Sequence, residues 1–121
     1  ERTVVYADSF RTEQILTNYL NNAIYHVDER KEIFVRKDIQ ENSVIVRVFN
    51  SGQNIPQEEG EKIWTSFYRA DNARTREEER YGIGLSIVKA ICDLDGKSCG
   101  FVNLPDGVEF FFELERVKNP D

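Results

Sequence analysis

Apolar residues near the start of the chain recur at three- and four-residue spacing, the pattern of an amphipathic helix. Asp8 or Ser9 supplies the N-cap, and the helix is expected to run for roughly 18 residues. A short β-branched and aromatic run at Val4–Tyr6 predicts an edge strand before it. The apolar stripe of this helix comprises Leu16, Tyr19, Leu20, Ala23, Ile24 and Val27.

Period-two alternation and short β-rich runs predict four more strands. Val44, Val46 and Val48 share one face, as expected for a half-buried strand. Pro105-Asp106-Gly107 predicts a tight hairpin between the last two strands. The four strands are Ile33–Arg36, Val44–Phe49, Cys99–Asn103 and Val108–Glu115.

The segment between the two strand pairs predicts two further helices. Pro56 stands where the first residue of a helix is expected, and that helix should run to about Trp64. Residues 69–81 carry charges of both signs and almost no apolar side chains, so they form a loop or a solvated helix. Gly82-Ile83-Gly84 then opens an amphipathic helix that ends near Gly96.

The order β-α-β-β-α-loop-α-β-β, in a single domain over residues 1–121, predicts an α/β two-layer sandwich. Hairpin-connected strands favour a mixed, mostly antiparallel sheet. Since each of the three helices has one apolar stripe, the helices should cover one face of that sheet.

Composition narrows the possible partners. The chain has 121 residues, 40% of them apolar, and a formal net charge of −6. An acidic domain binds nucleic acid poorly, because that affinity comes mostly from neutralising phosphates. No apolar run approaches the ~18 residues that span a bilayer, so no direct membrane contact is expected. An anionic ligand must therefore meet a local site, such as a helix N-terminus or a few placed cations.

Cys92 and Cys99 are the only cysteines. Their spacing matches no common zinc motif, and no further ligand lies nearby in the sequence. Two reduced, partly buried thiols are a better interpretation than a redox pair.

The first helix carries an unusual number of asparagines on the side opposite its apolar stripe. Asn18 and Asn22 are four residues apart and line one side, and His26 continues the row. A solvated polar face is one interpretation. The other is a magnesium site, because Mg²⁺ takes one or two hard protein oxygens together with phosphates and water.

Two glycine-containing segments add candidate ligand contacts. In the turn after the second predicted strand, Gly52 lets a flat base approach the backbone, and Asn50 can accept a hydrogen bond from an exocyclic amine. The helix start at Gly82-Ile83-Gly84 offers backbone N–H groups to a phosphate. Each segment alone has a plain structural interpretation, as a strand-ending turn and as a helix start.

Together these segments resemble the GHKL ATPase superfamily and, within it, the catalytic domains of two-component sensor histidine kinases. Four motifs occur in the family's order, and residues 69–81 match the ATP lid. The stretch from the F box through the G2 helix is similar to kinases that sense vancomycin-type antibiotics. The motifs are the N box at 18–23, the G1 box at 50–56, the F box at 63–69 and the G2 box at 82–88.

The resemblance implies that the chain binds ATP or ADP with Mg²⁺. It gives Asn22 the role of metal ligand and puts Asn18 beside the phosphates. Arg69 matches an arginine that reaches the γ-phosphate, so Asn18 and Arg69 are the expected catalytic residues. His26 falls where the family often has a tyrosine that packs on adenine. The remaining nucleotide contacts implied are Asn50, Gly52, Ile55, Tyr81, Gly82, Ile83, Gly84 and Leu85.

The resemblance also implies partners. ATP would donate its γ-phosphate to a histidine on a separate dimerising domain of the same kinase, and a response regulator would be served indirectly. The domain would be the cytoplasmic part of a membrane-anchored bacterial sensor kinase. Because the only histidine is His26, inside the N box, we expect this chain alone not to phosphorylate itself on the family's site.

Several positions depart from the family's pattern. Asn50 replaces an aspartate that accepts a hydrogen bond from the adenine amino group, and Asn54 replaces the second glycine of that motif. Tyr25 replaces a common lysine, and Arg80 replaces the first glycine of the G2 pattern. An alternative is therefore a degenerate domain that has lost nucleotide and serves as a protein-docking module.

A third possibility is an ATP-hydrolysing branch of the superfamily, as in chaperones or topoisomerases. Those branches place a catalytic glutamate four residues before the metal-binding asparagine. Asn18 occupies that position here, which argues against activation of water by a carboxylate.

Overall fold

The strands of this chain join into one curled antiparallel sheet. The computed structural model describes residues 2–65 and 76–118, and for residues 76–83 only the backbone. The strands are β1 (Val5–Tyr6), β2 (Ile33–Ile39), β3 (Ser43–Ser51), β4 (Cys99–Leu104) and β5 (Gly107–Arg116).

β5 is the centre of the sheet. β3 pairs along one edge of it, and β2 pairs with the far side of β3. On the other edge, β4 pairs with residues 107–112 and β1 with residues 115–116, so these two strands lie end to end. Every pairing among the described strands is antiparallel, which makes the sheet simpler than the mixed one expected from the sequence.

Two α-helices, α1 (Ser9–His26) and α2 (Arg76–Asp95), pack on each other and on one face of the sheet. Asp8 caps α1, since its side chain accepts a hydrogen bond from the amide of Arg11 at 2.9 Å. Gly96, at φ +67°, follows the end of α2. The α/β two-layer sandwich is thus confirmed. No helix within residues 2–65 and 76–118 is long and apolar enough to cross a bilayer.

The expected helix from Pro56 to Trp64 is two short 3₁₀ turns, Gln57–Glu59 and Lys62–Trp64. Gly60 and Glu61 separate them, and glycine in a helix interior is unfavourable by roughly 1 kcal/mol relative to alanine. Residues 66–75, which hold the rest of the predicted F box and much of the predicted ATP lid, lie outside the described part of the chain.

The core lies between the helices and the sheet. Tyr19 is its largest fully buried side chain, and its hydroxyl donates to the carbonyl of Phe111 at 2.9 Å. The other buried apolar members of this cluster are Ile15, Ala23, Val48, Leu85, Val88, Ile91, Cys92, Val108, Phe110 and Phe112.

The apolar stripe predicted for α1 is wrong at one edge. Ile24 is 59% exposed, whereas Asn22, placed by the sequence on the outer side, is 4% exposed. The reason is that α2 packs against the Asn18 side of α1, as the closeness of Asn18 to Gly84 shows. The apolar pattern within a single helix does not indicate which other side of it a second helix will bury.

Candidate functional site

A row of polar residues on α1 joins two glycines from distant parts of the chain. Asn18, Asn22 and His26 follow one another at four-residue spacing. Oδ1 of Asn18 lies 3.2 Å from the point that a β-carbon on Gly84 of α2 would occupy. The carbonyl oxygen of His26 lies 3.2 Å from the corresponding point on Gly52. The three segments singled out in the sequence therefore meet along one side of α1.

The turn after β3 requires glycine. Gly52 has φ +148°, a backbone conformation that residues with side chains rarely adopt. A β-carbon there would also crowd the His26 carbonyl and approach Nδ2 of Asn50 to 3.5 Å. Gly52 thus keeps the backbone of this turn close to the end of α1.

Asn50 presents an unpaired acceptor at this turn. Its side chain is buried, and Nδ2 donates to the carbonyl of Ser51 at 3.0 Å. That bond fixes which end of the amide is the oxygen. Among the described residues, Oδ1 of Asn50 is the buried side-chain polar atom without a hydrogen-bond partner. A buried acceptor left unpaired costs roughly 1–3 kcal/mol, so a ligand that donates a hydrogen bond there would be favoured.

Ser51 makes two hydrogen bonds with Asp28 and two with Glu32. Its Oγ donates to Oδ1 of Asp28 at 2.8 Å, and its carbonyl accepts from the Asp28 amide at 3.1 Å. Its N–H donates to the carbonyl of Glu32 at 2.9 Å, and its Oγ accepts from the Glu32 amide at 3.1 Å. Because Asn50 donates to the same Ser51 carbonyl, this network also fixes the direction of the Asn50 amide.

Hydrogen bonds from Arg30 stabilise the charged form of Asp28. Arg30 donates from Nε and Nη2 to Oδ2 of Asp28, at 3.1 and 2.9 Å. The hydrogen bonds from Arg30, and secondly the one from Ser51, hold the pKa of Asp28 below its ordinary value. The charged form of Asp28 is therefore the one that fits this site.

The β4–β5 hairpin is tied to the same turn. Arg30 donates from Nη2 to the carbonyl of Asp106 at 2.9 Å, and the Gly52 amide donates to that carbonyl at 3.1 Å. Nδ2 of Asn54 donates to the carbonyls of Leu104 and Gly107, at 2.9 and 2.8 Å. Asn54 stands where the resemblance would have a glycine, and its side chain connects the turn to the β4–β5 hairpin.

Ile55 continues this connection. Its amide donates to Oδ1 of Asn103 at 2.9 Å, and its carbonyl accepts from Nδ2 of Asn103 at 2.9 Å. Its side chain is partly buried against the core. Hydrogen bonds therefore join the turn and the hairpin into one wall of the site.

The prediction that Gly82 opens the last helix is wrong in the structure. α2 begins at Arg76, so Tyr81, Gly82, Ile83 and Gly84 lie inside it. Arg and Glu, which dominate residues 76–80, have high helix propensity, and this explains why the helix extends into the charged stretch. The N–H groups expected to bind phosphate consequently belong to the helix interior.

Other predicted contacts occupy different environments. The side chain of Leu85 is 8% exposed and packs in the core. His26 is exposed, and its ring stands edge-on to that of Tyr25 at 4.9 Å between centroids. Arg69 lies outside the described residues, as do the side chains of Tyr81 and Ile83.

The sequence did not single out Asp28, Ser51 or Asn103 as site residues. Ser51 lies 23 residues from Asp28, and Ile55 lies 48 residues from Asn103. Contacts over such separations leave no periodic signal in a single sequence, and each of these residue types is also common in plain turns.

With this geometry in view, comparison with known proteins identifies the family. Residues 7–118 match the family model for histidine kinase-, DNA gyrase B-, and HSP90-like ATPases. The chain belongs to this ATPase family. The sensor protein CiaH of Streptococcus pneumoniae serotype 4 is 34% identical to it over 110 residues, which are 90% of this chain. The chain spans about a quarter (24%) of the length of CiaH.

Solved structures of ATPase-family members agree with the fold. The nucleotide-free catalytic domain of histidine kinase ThkA has a TM-score of 0.78 and 34% identity, covering 93% of this chain and 70% of that one. ThkA in complex with the response regulator protein TrrA has a TM-score of 0.75 and 33% identity, covering 97% of this chain and 32% of that one. The chain falls within the histidine kinase branch of the ATPase family.

Proposed function

We propose that this domain binds ATP together with Mg²⁺ and donates the γ-phosphate to a histidine on a separate dimerising domain of the same kinase. The observation that carries the proposal is the unpaired Oδ1 of Asn50 beside Gly52, at the end of a row of asparagines on α1. The adenine amino group is a donor of the kind that this oxygen requires.

The base would lie against the turn after β3. Asn50 accepts from the exocyclic amine, and Gly52 leaves room for a flat ring, since nothing projects from its α-carbon. Ile55, partly buried in the adjoining wall, would supply apolar contact to the ring. His26, exposed at the end of α1, would cover the opposite face of the ring.

The metal would be held by α1. Asn22 offers one hard amide oxygen in a buried position, which suits Mg²⁺ because this ion keeps most of its ligands as water and phosphate oxygens. Asn18, one turn earlier and next to Gly84, would contact the phosphates. Mg²⁺ supplies neutralisation of charge on the phosphates, and this chain supplies their position.

Phosphate binding at Gly82 and Gly84 would require the first turns of α2 to open. The backbone N–H groups at these positions lie within the helix that starts at Arg76. Two glycines within three residues weaken this part of the helix by roughly 1 kcal/mol each, so opening it costs little. Arg69, Tyr81, Ile83 and the backbone of Leu85 would then line the triphosphate.

The acceptor and partners are those of a sensor kinase. The imidazole of the acceptor histidine is itself the nucleophile, so the domain needs no general base. A response regulator would take the phosphate afterwards, and ThkA with TrrA is a relative solved with such a protein. The domain would act as the cytoplasmic part of a membrane-anchored sensor. Sensing of vancomycin-type antibiotics remains a prediction from the sequence.

Two measurements on the intact chain test this proposal. Saturating Mg·ADP should raise the melting temperature, because a ligand that binds only the native state stabilises it, by about 2.7 kcal/mol at a hundredfold excess over Kd. With γ-labelled ATP and the histidine-bearing domain of the parent kinase, label should appear on that domain in acid-labile form. The chain alone should stay unlabelled.

The outcomes separate the proposal from its alternative. If the chain is folded and Mg·ADP leaves its melting temperature unchanged, the result would support the degenerate docking module. Binding of nucleotide without transfer of label to the histidine domain would retain the nucleotide site and overturn the kinase activity.

A further inference from the structure

Strand β2 leaves one side of its backbone without a strand partner. It pairs with β3 on one side, and no other described strand pairs with its far side. The Ser51 amide donates to the carbonyl of Glu32 at 2.9 Å, and the Gln40 amide donates to the carbonyl of Ser43 at 2.8 Å. Hydrogen-bonded residues alternate along an antiparallel pair, so the even-numbered residues of β2 bond to β3. The backbone groups that point outward at the free edge are those of Ile33, Val35, Lys37 and Ile39.

Apolar side chains accompany this free edge. Val35 and Ile39 lie on the face of the sheet that carries the helices, because they stand opposite the buried residues Val48 and Val44 of β3. They are nevertheless 52% and 46% exposed, since the helices do not extend over the edge strand. An open sheet edge with exposed apolar side chains is the kind of surface to which another strand can be added.

The charged residues Arg36 and Asp38 project from the opposite face of β2 and are positioned by contacts within the chain. Nε of Arg36 lies 3.2 Å from Oε2 of Glu109. Oδ2 of Asp38 lies 2.7 Å from Nε of Arg47. Nη1 of Arg36 and Oδ1 of Asp38 are 3.6 Å apart, which is beyond hydrogen-bond distance. These two atoms can therefore each take a hydrogen-bond partner from another molecule.

We propose that β2 pairs antiparallel with β2 of a second copy of this chain, about a twofold axis at Lys37, so that the two sheets become continuous. In this register Arg36 of each copy faces Asp38 of the other. Val35 of each copy likewise faces Ile39 of the other. A twofold axis repeats every contact, so the interface contains two opposite-charge pairs and two apolar pairs.

Charge complementarity is what selects a second copy as the partner and this register as the arrangement. Moving the axis by one residue, to Arg36, would keep the backbone pairing possible. It would, however, place Arg36 opposite Arg36 and bring Val35 opposite Lys37. Like charges directly opposite each other on neighbouring strands are destabilising. The axis at Lys37 is therefore the favoured one.

Lys37 limits the strength of the pairing. It faces itself at the axis, where two like charges oppose association. Its Nζ lies 3.4 Å from Oγ1 of Thr3 in its own chain, which directs the ammonium group away from the axis. One strand edge is also smaller than the roughly 800 Å² per partner of a standard interface. We therefore expect a weak, reversible dimer with a Kd of about 0.1–1 mM.

Sedimentation equilibrium of the intact chain tests the dimer at chain concentrations between about 20 µM and about 1 mM. The unaltered chain should shift from monomer towards dimer over this range. Lys37→Gln removes the like charges at the axis and should associate roughly two- to fivefold more tightly. Lys37→Pro removes the same charge together with an outward N–H group, and proline is tolerated on an edge strand where that group faces solvent. It should associate at least about tenfold more weakly than Lys37→Gln.

Disulfide formation tests the register, and it does so even if Lys37→Pro fails to fold. At the axis, the α-carbons of residue 37 in the two copies would be about 5.5 Å apart, within the range for a disulfide. Those of residue 35 would be more than about 13 Å apart. Under mild oxidation Lys37→Cys should therefore form a dimer linked through residue 37, whereas Val35→Cys should not. Both variants retain Cys92 and Cys99, so each is the control for the other.

Three results would overturn the proposal. One is that the folded, unaltered chain remains a monomer at the highest concentration. Another is that Lys37→Pro is folded and associates as tightly as Lys37→Gln, because the two copies would then meet through another surface. The third is that Val35→Cys becomes cross-linked as fast as Lys37→Cys, because β2 would then not pair about residue 37.

Discussion

The amide of Asn18 on α1 lies directly against the α-carbon of Gly84 on α2, with its Oδ1 3.2 Å from the place of a β-carbon on that glycine. This contact joins the two helices that would surround the phosphates. The side chain of Asn18 can occupy this position only because residue 84 has no side chain.

Gly84→Ala should therefore weaken Mg·ADP binding without destabilising the fold. The added methyl group displaces Asn18, while alanine gains up to about 1 kcal/mol in a helix interior relative to glycine. Titration calorimetry and thermal melting measure the two effects separately. In an Asn18→Ala background, Gly84→Ala should cause no further loss of affinity, because the group it displaces is gone. An equal loss in both backgrounds would mean that Asn18 is not involved.

Asn22→Ala should remove the Mg²⁺-dependent part of nucleotide affinity. Because Asn22 is 4% exposed, we also expect a loss of stability on the order of 1 kcal/mol, which its predicted position on the outer side would not have implied. Asn21→Ala, the same change at an exposed neighbour, should alter neither quantity. If the two variants show the same Mg²⁺ dependence as the unaltered chain, Asn22 is not the metal ligand.

Asp28→Asn should reduce the sensitivity of the fold to acid. The folded-state pKa of Asp28 lies below its ordinary value of 3.8, so its stabilising effect is present above that pH. The effect is lost as the pH falls through the lower, folded-state value. Melting curves recorded between neutral pH and pH 2, at intervals of about one pH unit, should show that the melting temperature of the variant falls less in acid than that of the unaltered chain.

Arg30→Gln is a matched test of the same effect, because hydrogen bonds from Arg30 are the largest cause of the lowered pKa. Its acid loss should also be smaller than that of the unaltered chain. Equal acid losses in all three proteins would show that Asp28 does not stabilise the turn as a carboxylate.

Asn50→Asp should lower the melting temperature of the nucleotide-free domain at neutral pH. The variant would place a carboxylate oxygen where Nδ2 now donates to the Ser51 carbonyl at 3.0 Å, in a position 1% exposed. Losing that bond and burying a charge should cost roughly 1–3 kcal/mol. Asn21→Asp, at an exposed position of α1, provides the comparison. A variant as stable as the unaltered chain would mean that the Ser51 carbonyl does not fix the direction of the amide.

The fold was predictable because its signals are local. Asp8 as a cap, the spacing of apolar residues after it, and Pro105-Asp106 between two β-rich runs each act over a few neighbouring residues. The resemblance of four short motifs then grouped Asn18, Asn50 and Gly84, and the structure brings their segments together along α1.

The remaining features depend on packing between distant elements. The burial of Asn22 follows from the helix that packs beside α1. The hydrogen bond from Ser51 to Asp28 joins two residues that are 23 positions apart in the sequence. The start of α2 at Arg76 shows a different limit. Glycines at 82 and 84 predicted a helix boundary, but the favourable residues before them continue the helix through that point.

The central claim is that Oδ1 of Asn50 accepts the amino group of adenine, and a pair of calorimetric titrations tests it most directly. ADP and inosine diphosphate differ at this position, since inosine carries an oxygen in place of the amino group. The Asn50 amide cannot turn to suit that oxygen without losing its bond to Ser51. We therefore expect ADP to bind at least about tenfold more tightly, a difference of roughly 1.4 kcal/mol. Equal affinities for the two nucleotides, or no binding of ADP by the folded domain, would contradict the account.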